Sequence, residues 1–386
     1  MYDVALKVLK ELNDNGYKAY IVGGYVRDSI LDIESNDIDI TTNATPKQIM
    51  ELFNNSCLPN EDYGSVIIEK KGYRFELTTF RKEIGYSDNR HPSEVKYIDE
   101  LYPDLLRRDF VINTICMDFN GDIVDYLNGR EDIENKVIRT VGDAYKSFND
   151  DALRILRAIR FATILDFKLC DEVVDAIKKE KNLVRNLSYY RKKSELDKIF
   201  TSSNRKLGVS LLIEFGLDEV LEIPNLYKIL DTDTTSLIGV WSILEVDDKY
   251  PFNKTESALM KDIRKVIPLN NLDPIALYKY GLYVNSVAGE IKGLDIKNIT
   301  ESYNNLVIKC RKDINISSDE IIKILHKEPG KFIADIYDDI EREILYRRLK
   351  NEKEEIYNYI LDNYKWLYLW RIDLFFFLHL LYLFLL

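Results

Sequence analysis

Two aspartates one residue apart, Asp37 and Asp39 in Ser35-Asn36-Asp37-Ile38-Asp39-Ile40, follow a glycine pair at Gly23-Gly24. On a strand, positions i and i+2 point to one face. Two carboxylates held that close repel each other unless a cation lies between them. Mg²⁺, a hard divalent ion, takes such oxygen ligands together with substrate phosphates. The glycine pair ends the short apolar stretch Tyr20-Ile21-Val22 and precedes Tyr25-Val26-Arg27-Asp28-Ser29-Ile30-Leu31, which has helical spacing. Such a turn brings bare backbone N–H groups close to a ligand, and the helix it opens favours an anion at its start. A phosphate cradle beside a carboxylate pair suits two-metal phosphoryl transfer. Singly, each feature is ordinary: glycine pairs close many tight turns, and Asp-x-Asp is common on solvated strand faces.

A second arrangement lies at Asp150-Asp151-Ala152-Leu153-Arg154-Ile155-Leu156-Arg157-Ala158-Ile159-Arg160-Phe161-Ala162. Asn149 is a good N-cap, and the spacing predicts a helix beyond it in which nearly every residue but the arginines is apolar. Arginines on such a helix need partners, because a buried unpaired charge is very costly. Salt bridges to neighbouring acids would satisfy them, and so would an anionic ligand lying along the helix. A spacing of three drifts by about 60° per step, so Asp151 and Arg154 share a face while Arg157 and Arg160 fan around it.

These groups need a scaffold. The chain has 386 residues, 46% hydrophobic and 31% charged, the composition of an ordinary multi-domain globular protein. Residues 1 to about 138 read as α/β, with an amphipathic helix (Val4, Leu6, Val8, Leu9, Leu12) before the strand at Ala19 to Val22. Ser65 to Glu69 and Arg74 to Thr79 flank Lys70-Lys71-Gly72-Tyr73, a hairpin signal. Glu83 to Lys96 is expected to be a loop, because apolar residues thin out and Gly85, Asn89 and Pro92 appear. A helix and a strand are expected across Leu105 to Tyr126, and helices alone after Gly142. The outcome is an α+β head followed by helical domains.

Net charge is −11, which argues against a protein that coats nucleic acid indiscriminately. A local basic groove is still open, since Lys and Arg outnumber Asp and Glu between Arg139 and Phe200. Cys57, Cys116, Cys170 and Cys310 form no C-x-x-C pair and, with no N-terminal signal segment, read as reduced, buried thiols of a cytoplasmic protein. His91, His326 and His379 offer no zinc spacing.

Gly23-Gly24-Tyr25-Val26-Arg27-Asp28 followed by Asp37-Ile38-Asp39 resembles the opening motif of the class II tRNA nucleotidyltransferase and bacterial poly(A) polymerase family. Arg107-Arg108-Asp109-Phe110-Val111-Ile112-Asn113 resembles a second family motif, with Val111 where Thr is usual. The Asp151 to Arg160 segment is similar to the nucleotide-selecting motif. The resemblance implies a polymerase β-like nucleotidyltransferase head (1–138), then a helical neck (139–200), body (201–265) and tRNA-binding tail (266–386). It implies nucleotide contacts from Gly24, Arg27, Arg108, Asp109, Asn113, Asp151, Arg154, Arg157 and Arg160, with Asp109 or Asn113 on the ribose and Arg108 on a phosphate. Asp109 could equally cap its own backbone. Glu76 is a candidate third metal carboxylate beside Asp37 and Asp39. Arg81, Glu83 and Arg90 fall in the family's mobile loop, which helps switch from C to A addition; as bare sequence the loop is a solvated connection. The fourth family motif departs here: in Tyr190-Arg191-Lys192-Lys193-Ser194-Glu195 the second glutamate stands and the first is tyrosine. That motif braces the selecting helix, so the packing is expected to differ there.

Asp151 only accepts hydrogen bonds and Arg154 only donates. CTP and ATP share an amino donor beside a bare ring nitrogen, the complement of that pair; UTP and GTP reverse both groups. A site built on hydrogen bonds rejects such analogues by roughly 10⁴-fold. The implied activity is addition of C, C and A to tRNA from CTP and ATP, with Mg²⁺ as cofactor, no DNA or membrane partner, and a monomer or homodimer. Poly(A) synthesis, partial CC or A addition, and a non-catalytic RNA-binding scaffold are the alternatives. The segment from Trp366 to Leu386 is overwhelmingly apolar, but Leu374 to Leu386 is too short to span a bilayer. A terminal helix, a dimer surface, a membrane anchor and a departure from the reading frame are all open there.

Overall fold

The structure, a computed structural model, describes residues 1–54, 56–60, 64–86 and 92–364. It comprises two compact units, Met1–Asp231 with Asp248–Pro251, and Thr232–Asp247 with the chain from Phe252 onward. The apolar segment at 366–386 lies outside the described residues. Among those described, no helix is long and apolar enough to cross a membrane.

In the first unit α1 (Tyr2–Asp14) buries Val4, Val8, Leu9 and Leu12 and leads into β1 (Ala19–Val22). Then follow α2 (Gly24–Ile30), β2 (Asp39–Thr42), α3 (Pro46–Leu52), β3 (Ser56–Asn60), β4 (Ser65–Lys70) and β5 (Tyr73–Thr79). Next come β6 (Arg81–Tyr86), β7 (Pro92–Tyr97), α4 (Leu101–Leu105), β8 (Cys116–Met117) and β9 (Ile123–Val124). A mixed sheet has the order β3-β4-β5-β2-β1-β8-β9. Its centre matters most: β2 runs antiparallel to β1 and parallel to β5, placing Asp39 opposite Val22 on one side and Glu76 on the other. The predicted hairpin is there, with Lys70 opposite Tyr73 and positive φ at Lys71 and Gly72. Ile21, Ile38, Ile40 and Phe75 fill the core behind the sheet.

The expectation of a loop at 83–96 is corrected. β6 and β7 form a two-stranded antiparallel ribbon, Lys82 opposite Lys96 and Glu83 opposite Val95. Lys82, Glu94 and Lys96 are exposed on one side, and the covered side carries the ion pair of Arg81 and Glu83, so no apolar alternation is written into the sequence. Arg90 lies outside the described residues. Across 105–126 the chain makes a single 3₁₀ turn at Val111–Asn113 and two short strands in place of a full helix and strand. The thiols also differ from expectation: Cys116 is buried, Cys170 is half-buried, and Cys57 and Cys310 are exposed.

Beyond the sheet, α5 (Gly129–Glu134) and α6 (Ala144–Asp150) precede α7 (Leu153–Leu165), followed by α8 (Asp171–Glu180) and α9 (Tyr189–Phe200). The second unit is helical, with Ile321, Ile336, Ile340, Ile344, Ile356 and Ile360 in one of its cores. Its longest helix, Pro274–Ile291, breaks at Gly281 (φ 73°), where the Asn285 amide donates to the freed Gly281 carbonyl at 2.8 Å.

Candidate active site

β1 ends at the glycine pair. Gly23 has φ 80° and ψ −130°, a conformation side chains oppose, and a Cβ there would lie 3.7 Å from Arg108 Nη1. The bare turn thus sits against a guanidinium.

Strand β2 begins at Asp39, so Asp37 lies in the extended segment before it rather than on the strand. The alternation still reaches back: Asp37 and Asp39 are exposed while Ile38 and Ile40 are buried, and both carboxylates face away from the core. Asp39, Glu76, Thr78, Arg81, Arg107 and Arg108 line a cavity of about 540 Å³. Asp39 is open to water at this surface, yet its carboxyl is pushed up to about 6. Lost hydration is the largest cause, then the charges of Asp37 and Glu76, against which Arg108 pulls down. No three acidic, histidine or cysteine side chains among the described residues form a finished cage for an ion. Three carboxylates without a counter-charge hold each other apart, so an open cluster is what this acid set should show.

Arg107 and Arg108 converge on Asp104 of α4, which is fully buried. Arg107 Nη2 is 2.8 Å from Asp104 Oδ1, and Arg108 Nη2 is 3.4 Å from Oδ2. The buried Nε of Arg108 donates to nothing among the described residues. Glu83 accepts from Arg81 at 2.9 Å and lies 3.5 Å from Arg107, tying the ribbon to the same corner.

A polar chain runs from α2 to α7. Arg27 donates to Asp28 and, at 2.7 Å, to Asn113 Oδ1; the Asn113 amide donates to Asp109 at 3.0 Å. Asp109 also accepts from its neighbour's backbone N–H and from Arg157 Nε at 2.6 Å. Burial pushes the Asp109 carboxyl up, but Arg157, the Asn113 amide and Arg154 outweigh it and hold the group well below the usual carboxylate range. Arg27, Arg157 and Arg160 all lie over the Phe161 ring, 5.1, 5.3 and 4.3 Å from its centroid.

The selecting segment needs a correction. The helix does not start from Asn149: α6 runs through Asp150, the backbone extends at Asp151 (φ −142°), and α7 begins at Leu153. Asp151 stands before the helix and caps it, accepting from Leu153 N–H at 3.0 Å. An aspartate pair competes with helix hydrogen bonds for nearby N–H groups, which explains the break. Asp151 and Arg154 do not pair with each other. Asp151 meets Arg191 of α9 at 3.4 Å, whereas Arg154 donates to Ser147 Oγ and the Arg107 carbonyl, both at 2.8 Å. Arg154 therefore makes no ion pair among the described residues. Arg157 and Arg160 do, with Asp109 and with Glu195 at 3.2 Å. Burial and the neighbouring Arg157 pull Arg160 down to about 10, against the pull of Glu195.

The structure thus gathers Asp39, Glu76, Arg81 and Arg108 at one cavity, with the charge of Asp37 acting on Asp39 from outside its lining, and links Arg27, Asp109, Asn113, Arg157 and Arg160 in one network. Sequence reasoning missed Asp104 and quoted Arg191 only within the fourth family motif, without its partner. The first sits three and four residues before the arginines it holds, a spacing that could have found it; the second is forty residues from Asp151, and nothing local shows that the two meet.

A carboxylate cluster on a mixed sheet beside a glycine turn and an arginine-lined cavity defines a nucleotidyltransferase. Residues 19–139 match the poly A polymerase head domain, 166–228 a probable RNA and SrmB-binding site of polymerase A, and 252–360 a putative domain 2 of tRNA nucleotidyltransferase. The CCA-adding enzyme of Bacillus pumilus is 35% identical over 381 residues, covering 91% of this chain and 95% of that one. That of Bacillus subtilis is 34% identical, covering 91% and 96%. The solved structure of the Bacillus stearothermophilus CCA-adding enzyme in complex with CTP superposes with a TM-score of 0.84 at 27% identity, covering 93% of this chain and 96% of that one. The chain belongs to the class II CCA-adding enzyme family of tRNA nucleotidyltransferases.

Proposed function

We propose that this chain adds C, C and A to the 3′ end of tRNA from CTP and ATP, releasing pyrophosphate, with the reaction centred on the cavity at Asp39. One juxtaposition carries the reading. Asp39, whose carboxyl is raised by burial and by the charges of Asp37 and Glu76, shares a cavity with an arginine whose buried Nε–H has no acceptor among the described residues. The first calls for a cation and the second for an anion, and a nucleoside triphosphate with its divalent metal supplies both. Relatives named as CCA-adding enzymes, and the solved relative holding CTP, support the same substrate class.

Asp37, Asp39 and Glu76 fit a divalent ion, Mg²⁺ in this reading, because each is an oxygen donor and their mutual repulsion is what a cation relieves. Bound there, the ion neutralises charge on the phosphates and lowers the pKa of the attacking RNA hydroxyl. Arg108, beside the Gly23-Gly24 turn, orients the triphosphate. Arg27, Asn113 and Asp109 shape the sugar pocket, and Arg157 and Arg160 keep its far wall positive. Asp151 and Arg154 read the base edge. The division into head (1–138), neck (139–200), body (201–265) and tail (266–386) belongs to this reading, with the helical parts holding tRNA and the enzyme acting in the cytoplasm. The test is incorporation of labelled C and A into tRNA stripped of its 3′ end: transfer that depends on both nucleotides supports the reading, and none contradicts it.

Two expected results follow from the geometry. Because Asp39 titrates at about 6, above the value near 3.9 of an unfolded chain, it favours the folded state most at low pH. That contribution is lost as pH rises through 6. The stability of the native protein relative to Asp39→Asn should therefore fall between about pH 5 and about pH 7.5 without metal. Mg²⁺ should raise the melting temperature more at the higher pH; an equal rise at both would remove Asp39 from metal binding. Separately, replacing residues 87–91, between β6 and β7 in the sequence, by a short glycine linker should spare C addition and slow the final A by at least about tenfold. Equal loss of both steps would make the ribbon a purely structural element.

A further inference from the structure

The cavity wall contains a carboxylate that cannot touch substrate. Asp104 is completely buried on α4, yet three arginines meet at its side chain. Its Oδ1 accepts the backbone N–H of Arg81 at 3.1 Å and the Arg107 Nε at 2.9 Å; its Oδ2 faces Arg108 Nη2 at 3.4 Å. Arg81, Arg107 and Arg108 all line the cavity that holds Asp39 and Glu76. Arg81 also opens β6, directly after the strand that carries Glu76.

Three guanidiniums in one half-buried corner repel each other, and lost hydration together with Arg107 already pulls Arg81 below its ordinary value. Two carboxylates oppose them, Glu83 on Arg81 and Arg107, and Asp104 on Arg107 and Arg108. Among the described residues, no third carboxylate makes an ion-pair contact with these guanidiniums. Arg108 is the least consumed of the three: its contact to Asp104 is the longest, and its Nε–H is free among the described residues. Asp104 thus grips one edge of Arg108 while the rest of the guanidinium faces the Gly23 turn.

We propose that Asp104 is a positioning residue for the nucleotide's phosphates, acting through Arg108 and setting how tightly triphosphate and pyrophosphate bind. The inference rests on the reading that Arg108 meets those phosphates. A charge-assisted hydrogen bond within a partly buried pair is lost in Asp104→Asn while side-chain volume is kept. A loosened Arg108 weakens ground state and transition state alike, which raises KM and leaves kcat nearly unchanged.

The experiment is steady-state kinetics of Asp104→Asn, Arg108→Ala and the double variant, with CTP on tRNA lacking CCA, ATP on tRNA ending in CC, and pyrophosphate as inhibitor. Asp104→Asn should raise KM for both nucleotides about tenfold, weaken pyrophosphate inhibition by a similar factor, and leave KM for tRNA unchanged. Its effect should largely vanish in the Arg108→Ala background. A residue with a merely structural role would lower the melting temperature and the active fraction without moving these constants. Nucleotide KM and pyrophosphate inhibition within about twofold of the native enzyme, or an undiminished effect without Arg108, would overturn the proposal. Should Asp104→Asn not fold, Asp104→Glu is judged by the same constants. If Arg108→Ala itself leaves nucleotide and pyrophosphate binding intact, the phosphate reading of Arg108 fails instead.

Discussion

Asp39→Ala is expected to abolish addition of both C and A, a loss of at least about 10³-fold in single-turnover rate, without loss of stability. The two halves of that expectation have different origins. Activity goes because the central carboxylate of the cluster goes, and with it the charge balance at the phosphate. Stability does not fall because Asp39 faces the cavity, while Ile38 and Ile40 on either side carry the core packing. Removing a carboxyl that Asp37 and Glu76 already disfavour relieves repulsion in the metal-free protein. Single-turnover assays beside thermal melts check both halves. Comparable turnover at any Mg²⁺ concentration would take this residue out of the mechanism; lost activity with a collapsed melting temperature would make it structural.

Asp151→Ala is expected to change which nucleotide is accepted, not only how fast. In the proposed reading Asp151 is the acceptor that penalises the carbonyls of UTP and GTP, so without it discrimination of roughly 10⁴-fold should largely collapse. The substitution also removes the cap at Leu153 N–H and the contact to Arg191, so a stability loss of about 1 kcal/mol accompanies it. Arg154→Ala should weaken CTP and ATP together if, as proposed, it is the donor to their shared ring nitrogen. The structure sharpens this second expectation: Arg154 bonds only neutral acceptors, Ser147 Oγ and the Arg107 carbonyl, so its charge has no ion-pair duty among the described residues. Ratios of incorporation for the four nucleotides, measured beside melts, separate selection from packing. Unaltered ratios with uniformly slow addition would leave both residues as helix supports.

The parts of this site that depend on neighbours in sequence were legible. The strand, the glycine turn, α2 and the Asp37–Asp39 pair lie together between Ala19 and Asp39, and each is dictated by local spacing. The hairpin from β4 to β5 was equally plain, because Lys71-Gly72 supplies the two positive φ angles that a two-residue turn demands. What escaped depends on partners far along the chain. Glu195 was noted only as a surviving motif residue, and nothing local shows that it faces Arg160. Arg157 finds Asp109 forty-eight residues away. The ribbon escaped because one side is exposed and the covered side holds a charged pair, Arg81 and Glu83, leaving pairing without hydrophobic alternation. The start of α7 was misplaced because Asn149 and the two aspartates after it are all good caps, and only packing decides among them. The helix starts at Leu153, whose N–H donates to Asp151, which puts the proposed base-reading acceptor at the helix entrance rather than on its face.

The most direct test of the account is a ladder at one-nucleotide resolution: purified protein, tRNA lacking its last three nucleotides, and CTP, ATP, UTP and GTP supplied singly and together. CTP alone should extend the RNA by two residues, ATP should then add one, and extension should stop, with UTP and GTP inert. Continued addition of A would instead make this a poly(A) polymerase site, and a stop after CC with ATP present would make it a partial enzyme. No extension with any nucleotide would contradict catalysis at the Asp39 cavity altogether.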